Sequence, residues 1–208
     1  QDLSQIPVME RDHYFSMANF GALFHQPRID SLVNEGTAEN YGVELTFEKF
    51  FSKGYYFLLT SSLYESTYTA SDGIERNTAF NGNYMLNLLG GYEWQINPKM
   101  TLALDMKFMA AGGKRETPID LQGSIEKEGP VYDSDRIYED RLQDYMRMDA
   151  RLSFRLNGKK ITQEWALDIQ NITDEKNVFT KEYNNETQSV VTKYQQGFFP
   201  MMFYRIMF

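Results

Sequence analysis

The stretch Tyr145-Met146-Arg147-Met148-Asp149-Ala150-Arg151-Leu152-Ser153-Phe154-Arg155-Leu156 alternates its side chains without a break. Every second side chain from Met146 onward is apolar, and most of those between are charged. A repeat of two residues is typical of a β-strand with two unlike faces, not of a helix. A strand of this length, rising about 3.3 Å per residue and tilted by about 45°, would cross the apolar layer of a bilayer.

The same alternation predicts an all-β, antiparallel fold with about eight strands and no convincing helix. The expected strands lie at about 1–8 (partial), 38–50, 55–68, 79–95, 99–111, 144–156, 161–172 and 194–208.

Short and long connections alternate along these strands. Tight turns with Gly, Asn or Pro are predicted near residues 51–54, 96–99 and 157–160. Longer links occupy about 9–37, 69–78, 112–143 and 173–193. Transmembrane β-barrels sort their connections in this way, with short periplasmic turns and long outer loops. We therefore expect an antiparallel transmembrane β-barrel whose apolar side chains face lipid.

The composition restricts the function classes. The 208 residues include 15 Phe, 14 Tyr, 2 Trp and no Cys, which excludes disulfides and thiol chemistry. A net charge of -8 argues against binding to nucleic acid. The first residues do not resemble a signal peptide. If the protein is exported, we therefore expect its N-terminal part to be missing from this sequence or already removed.

The last twelve residues, Gly197 to Phe208, are rich in aromatic side chains. Counting back by two from the carboxyl terminus gives an apolar face made of Met202, Tyr204, Ile206 and Phe208. This ending resembles the barrel-assembly signal of bacterial outer-membrane β-barrels.

Five segments together resemble the C-terminal barrel strands of TonB-dependent outer-membrane receptors of the Bacteroidota type. They are 40–49 (NYGVELTFEK), 76–84 (RNTAFNGNY), 111–121 (AGGKRETPIDL), 167–173 (LDIQNIT) and 197–208 (GFFPMMFYRIMF). Their order and spacing match that family over nearly the whole chain.

The resemblance implies a piece of a barrel of about 22 strands, with residues 1–208 as its C-terminal part and the plug domain absent. Such receptors import a scarce nutrient, such as a metal chelate, vitamin, oligosaccharide or peptide, by energy-coupled transport. The implied location is the outer membrane of a Gram-negative bacterium. The implied partners are the remaining barrel strands and plug, TonB through the missing N-terminal part, the barrel assembly machinery, lipid or lipopolysaccharide, and a surface lipoprotein as a lid.

Two sets of residues are candidates for a site. The lumen-facing set would contact the plug or solute, or merely pack and hydrate the barrel wall, and comprises Arg147, Arg151, Arg155, Arg205, Glu44, Asp105, Asp149, Glu164 and Asp168. The outer-loop set would contact substrate or lid, or pack against neighbouring loops, and comprises Tyr14, Phe15, Phe20, Phe24, Tyr132 and Tyr138.

The sequence predicts no enzyme, no metal site and no cofactor. His13 and His25 are the only histidines, and without cysteine they make a poor metal site. Two other functions stay open. One is a stand-alone eight-stranded outer-membrane barrel with a structural or adhesive role, and the other is a soluble carbohydrate-binding β-domain.

Overall fold

The computed structural model describes residues 1–10, 14–22, 29 and 31–208. The chain is all-β, and its strands pair antiparallel. The described strands are β1 Asp2–Met9, β2 Leu32–Ser52, β3 Tyr55–Thr69, β4 Glu75–Asn77, β5 Tyr84–Asn97, β6 Met100–Ala111, β7 Arg115–Glu116, β8 Asp140–Arg141, β9 Tyr145–Asn157, β10 Thr162–Gln170, β11 Val178–Asn184, β12 Ser189–Tyr194 and β13 Phe199–Met207. One short helix, α1, spans Leu121–Glu126, and a 3-10 turn spans Met17–Asn19.

The main sheet has the strand order β1-β2-β3-β5-β6-β9-β10-β13, and β4 adds to the end of β3. Two small hairpins, β11-β12 and β7-β8, lie outside it. Among the described residues the main sheet is open, because β1 and β13 are its two ends and do not pair with each other. No helix in this part of the chain has the length and apolar character to cross a membrane.

The register places the apolar residues of successive strands side by side. One cross-strand row runs Trp94, Leu102, Phe154, Trp165 and Tyr204 through five consecutive strands. A second row runs Tyr92, Leu104, Leu152, Leu167 and Met202. We call the sheet face that carries these rows the apolar face. Because side chains alternate along a strand, the polar and charged residues fall on the opposite side, here called the polar face.

Antiparallel hairpins put every second connection at the same end of the sheet. The tight turns after β2, β5 and β9 therefore lie at one end, and the long links lie at the other. At the long-link end a small core forms around Val8, Ala38, Tyr68 and Ala70, with Tyr138 packed against it. By alternation, Ala38 and Tyr68 belong to the polar face. At this end of the sheet, the long links thus pack against the polar face.

The structure corrects several sequence predictions. Residues 79–83 precede β5 and are not a strand, since they turn the chain with Asn83 at a positive φ of 69°. Residues 195–198 are not a strand either, and Tyr194 ends β12 instead of starting the last strand. Strand β2 begins at Leu32, six residues before the predicted 38, because β1 pairs with this early part.

The predicted absence of helix and the predicted loops were also wrong in detail. Helix α1 begins after Asp120, whose carboxylate accepts a hydrogen bond from the Gly123 amide at 3.1 Å. The link at 173–193 contains the hairpin β11-β12, whose strands are six and seven residues long. Apolar residues there are few, so their alternation gives a weak sequence signal.

Candidate functional site

The polar face brings together all nine residues of the predicted lumen-facing set. The ladder pairs Asp105 with Arg151 and Arg151 with Asp168, and it pairs Arg155 with Glu164 and Glu164 with Arg205. The same alternation puts the remaining members, Glu44, Arg147 and Asp149, on this face.

Arg151 joins two carboxylates on the neighbouring strand. It donates to Glu164 at 3.0 Å and to Asp168 at 3.1 Å. Glu164 is only 7% exposed, and Arg155 lies 3.9 Å from its second oxygen. Arg147 pairs separately with Asp149 at 2.7 Å. These bonds bring opposite charges together on the polar face.

A glycine makes room for a second polar contact on this face. The hydroxyl of Tyr56 donates to Asp105 at 2.7 Å, and Gly91 lies between them in the ladder. A Cβ on Gly91 would lie 2.6 Å from the Tyr56 ring and would overlap the Asp105 carboxylate. The missing side chain at Gly91 is therefore what lets these two groups meet.

The residues of the predicted assembly signal lie on the apolar face or just beyond it. Met202 pairs with Leu167, Tyr204 pairs with Trp165, and Ile206 pairs with Gln163. Phe208 follows β13 and is fully exposed.

The asparagine-rich segment before β5 anchors the long links. Asn81 is fully buried and donates to Glu65 at 2.8 Å and to Asn77 at 2.7 Å. Its side-chain oxygen accepts from the Ser66 amide at 3.1 Å. Asn83 donates to the other Glu65 oxygen at 2.8 Å. Each buried polar group has a partner, so this segment holds the loop rigidly against β3.

A similar pair of asparagines anchors the last long link. Asn171 is 1% exposed and donates to the carbonyl oxygens of Glu175 and Gln196, at 2.9 and 3.3 Å. Asn177 exchanges two hydrogen bonds with the backbone of Met146, at 2.7 and 2.8 Å. The Asn177 side chain thus forms the two hydrogen bonds that a neighbouring strand would form, and it joins the link to the start of β9.

The anchored links enclose a cavity of about 440 Å³, here called the cleft. Its walls come from the 3-10 turn region, the β6–β9 link and the hairpin β11-β12. An ion pair of 2.7 Å between Lys181 of β11 and Glu116 of β7 ties the hairpin to the link. Its apolar lining includes Ile119, Ile137, Leu142, Phe179 and Val190.

Three of the six predicted outer-loop residues line the cleft: Tyr14, Tyr132 and Tyr138. Tyr138 also packs edge-on against Tyr68, with ring centres 6.3 Å apart, and burial raises the pKa of its phenol. The Tyr68 hydroxyl donates to the Tyr14 carbonyl at 2.9 Å. Two of these tyrosines therefore also support the fold.

The other predictions for this loop lie elsewhere. Phe15 and Phe20 do not line the cleft. Phe24, His13 and His25 lie outside the described residues. No cluster of three metal-ligating side chains occurs in the described ranges.

Sequence reasoning missed Lys114, Phe179 and Val190 as lining residues. Lys114 stands in the segment that carries the family resemblance, but nothing in its spacing distinguishes it from a solvated lysine. Its position becomes evident only when the links fold together.

No family model, no curated protein and no solved structure matches this chain. The resemblance to TonB-dependent receptors therefore stays a prediction based on motifs.

Proposed function

We propose that this chain is the C-terminal part of the barrel of a TonB-dependent outer-membrane receptor that imports a scarce nutrient. The apolar face would contact lipid, the polar face would line the lumen, and the long links would be outer loops. The rest of the barrel, the plug, TonB and the barrel assembly machinery would be its partners.

One observation carries this proposal: large apolar side chains are exposed on the apolar face across the sheet, while the long links pack against the polar face at one end of the sheet. Large apolar residues on it, such as Val43, Leu45, Leu152 and Met202, are exposed in the structure. A protein in water would bury such a continuous surface. A transmembrane barrel instead needs it against the acyl chains.

Aromatic contacts near the short-turn end support the same orientation. Tyr55 stacks with Tyr92 at 6.5 Å, and the ring centres of Tyr92 and Trp94 are 4.8 Å apart. Further along the sheet, the ring centres of Trp165 and Tyr204 are 5.4 Å apart. Such a row corresponds to the aromatic girdle that outer-membrane barrels place at the interface.

The unpaired edges favour a larger barrel over a closed eight-stranded one. In the described residues β1 and β13 remain separate ends of the sheet, and β1 pairs only with the outer third of β2. Exposed edges invite further strands, and a larger barrel would supply them.

The test is to raise an antibody against residues 194–208 and to detect the protein in fractionated cells. A band several times heavier than 24.3 kDa in the outer-membrane fraction, shifting on heating, supports the proposal. An outer-membrane band near 24.3 kDa indicates the stand-alone barrel instead. Recovery in the soluble fraction without detergent contradicts both and favours the soluble β-domain.

A further inference from the structure

The cleft has an apolar wall and a cationic end. Phe179 and Val190 of the hairpin β11-β12 and Ile119 of the β6–β9 link supply apolar surface. Tyr132 adds a ring that is 54% exposed. Lys114 lines the same cavity, near the carbonyl of Ala22.

The charges of the cleft do not balance once its ion pairs are counted. Its two acidic residues are both engaged, Glu116 with Lys181 at 2.7 Å and Asp140 with Arg136 at 2.7 Å. Arg115 is held by protein oxygens, including the carbonyls of Asn81 and Glu139. Lys114 forms no ion pair with any described residue. Two positive charges of the cleft, those of Lys114 and Arg115, therefore form no ion pair within the described residues, although Glu116 lies near enough to act electrostatically on Lys114.

The ammonium group of Lys114 has capacity for a ligand. It donates one hydrogen bond, to the Ala22 carbonyl, and an ammonium carries three N–H groups. Lys114 is exposed overall, so a ligand in the cleft can reach it. Protein atoms nevertheless crowd the ammonium group, and this desolvation lowers the pKa of Lys114. A charged acceptor binds a poorly solvated cation more strongly than a solvated one.

We propose that the cleft binds a small molecule with one carboxylate and an apolar body, the carboxylate on Lys114 and the body against Phe179 and Val190. The Arg115 guanidinium already donates to three protein oxygens, and the single charge of Lys114 matches one carboxylate and not a phosphate dianion. The cavity of about 440 Å³ lies within the size of pockets for small ligands, about 300–1,000 Å³. This inference rests on the proposed function, because it takes the ligand to be the nutrient met at the outer face.

Two sources share this chemistry, the free C-terminus of a short apolar peptide and a medium-chain fatty acid. The probes are the peptide Ala-Leu-Phe, its C-terminal amide, octanoate and octanamide. Binding is measured by calorimetry on the intact protein in lipid nanodiscs, which avoid competing detergent. We expect at least one acid to bind about tenfold or more tightly than its amide, since the ion pair is lost in the amide.

Three variants locate the binding. Lys114→Gln should abolish the preference for acid over amide, and Lys114→Arg should retain it. Val190→Glu places a negative charge at the cleft wall and should weaken acid binding about tenfold or more by like-charge repulsion. Gln188→Glu is the matched control, because it adds the same charge in the exposed turn of the hairpin, outside the cleft lining. Val190 is also exposed, so its variant tests the proposal even if Lys114→Gln fails to fold.

Equal binding of acids and amides, or no binding of any probe, overturns the proposal. A preference that survives Val190→Glu and Lys114→Gln overturns it as well. Binding of the peptide alone assigns a peptide ligand, and binding of octanoate alone assigns a fatty acid. Cell fractionation decides the proposed function separately, so an outer-membrane protein that binds no probe refutes only the ligand class.

Discussion

Val43 of β2 and Leu63 of β3 are direct cross-strand partners, and yet 75% and 64% of their respective surfaces are exposed. Apolar pairs of this kind normally stabilise a sheet by leaving water together. On the other face, nearer the long-link end, Ala38 and Tyr68 are buried in a small core with Val8 and Ala70. Under the proposed function, this pair would contact the acyl chains of lipid.

A lysine on the apolar face should lower the free energy of unfolding far more than a lysine on the polar face. We expect Leu45→Lys to destabilise the protein by about 2–4 kcal/mol, the cost of a lysine near the bilayer midplane. Thr46→Lys, one residue further along β2, should cost less than about 1 kcal/mol, because a lumenal lysine stays hydrated. Urea unfolding in lipid vesicles measures both, and a reversed order would contradict the assigned orientation.

Replacing Arg151 should show how much the stability of the protein depends on the ion pairs of the polar face. Arg151→Gln leaves Glu164, which is 7% exposed, without its 3.0 Å donor. We expect a loss of about 1–3 kcal/mol in the free energy of unfolding.

Two further variants act as controls for Arg151. Arg205→Gln removes a positive charge that forms no ion pair with a described residue, and it should change stability little. Adding Glu164→Gln to Arg151→Gln should recover part of the loss. Equal effects of Arg151→Gln and Arg205→Gln would show that the ion pairs do not matter.

Two adjacent glycines of β5 should respond differently to alanine. A Cβ at Gly91 would lie 2.6 Å from the Tyr56 ring, whereas at Gly90 its nearest neighbour would be 3.2 Å away. We expect Gly91→Ala to cost about 1–3 kcal/mol through overpacking and Gly90→Ala to be much milder. The refolding yield into vesicles and the urea midpoint are the readouts, and equal effects would refute the role given to Gly91.

The ion pair between Glu116 and Lys181 should hold the hairpin β11-β12 over the cleft. Glu116→Gln should accelerate hydrogen exchange of residues 178–194 without affecting the main sheet. Glu182→Gln, which changes an exposed residue of the same hairpin, is the control. Unchanged exchange in Glu116→Gln would mean that other contacts fix the hairpin.

We expect the loop between β3 and β4 to lose stability at low pH. The hydrogen bond from Arg76 lowers the pKa of Asp72, which is ordinarily about 3.9. A lowered folded-state pKa means that the contact stabilises the folded loop above the ordinary value and is lost as the pH falls through the lowered one. Protection of the β4 amides, corrected for intrinsic exchange, should therefore drop in acid, and it should be pH-independent over that range in Asp72→Asn.

The alternation of side chains was sufficient to predict the long strands and their two faces. Twelve uninterrupted residues of β9 repeat every two positions, and the pairing register then places Arg147, Arg151 and Arg155 on one face. The antiparallel order follows from the tight turns, which leave neighbouring strands no other arrangement.

The cleft could not be predicted, because it depends on contacts between residues far apart in the chain. Lys114 hydrogen-bonds to Ala22, which is 92 residues away in the sequence, and Glu116 forms an ion pair with Lys181, which is 65 residues away. The short helix α1 was missed because six residues are too few for a helical pattern. Strand β5 begins only at Tyr84, because Asn81 and Asn83 in the preceding segment hydrogen-bond to Glu65. A pattern of apolar residues does not reveal such contacts.

The most direct test places a nitroxide spin label at Leu45→Cys or at Thr46→Cys and measures its accessibility in lipid vesicles. The chain contains no native cysteine, so each label is unique within it. The account predicts that a label at residue 45 collides mainly with lipid-soluble oxygen, whereas a label at residue 46 collides mainly with a water-soluble nickel complex. The opposite pattern, or equal access of the nickel complex to both positions, would contradict the claim that the apolar face meets lipid.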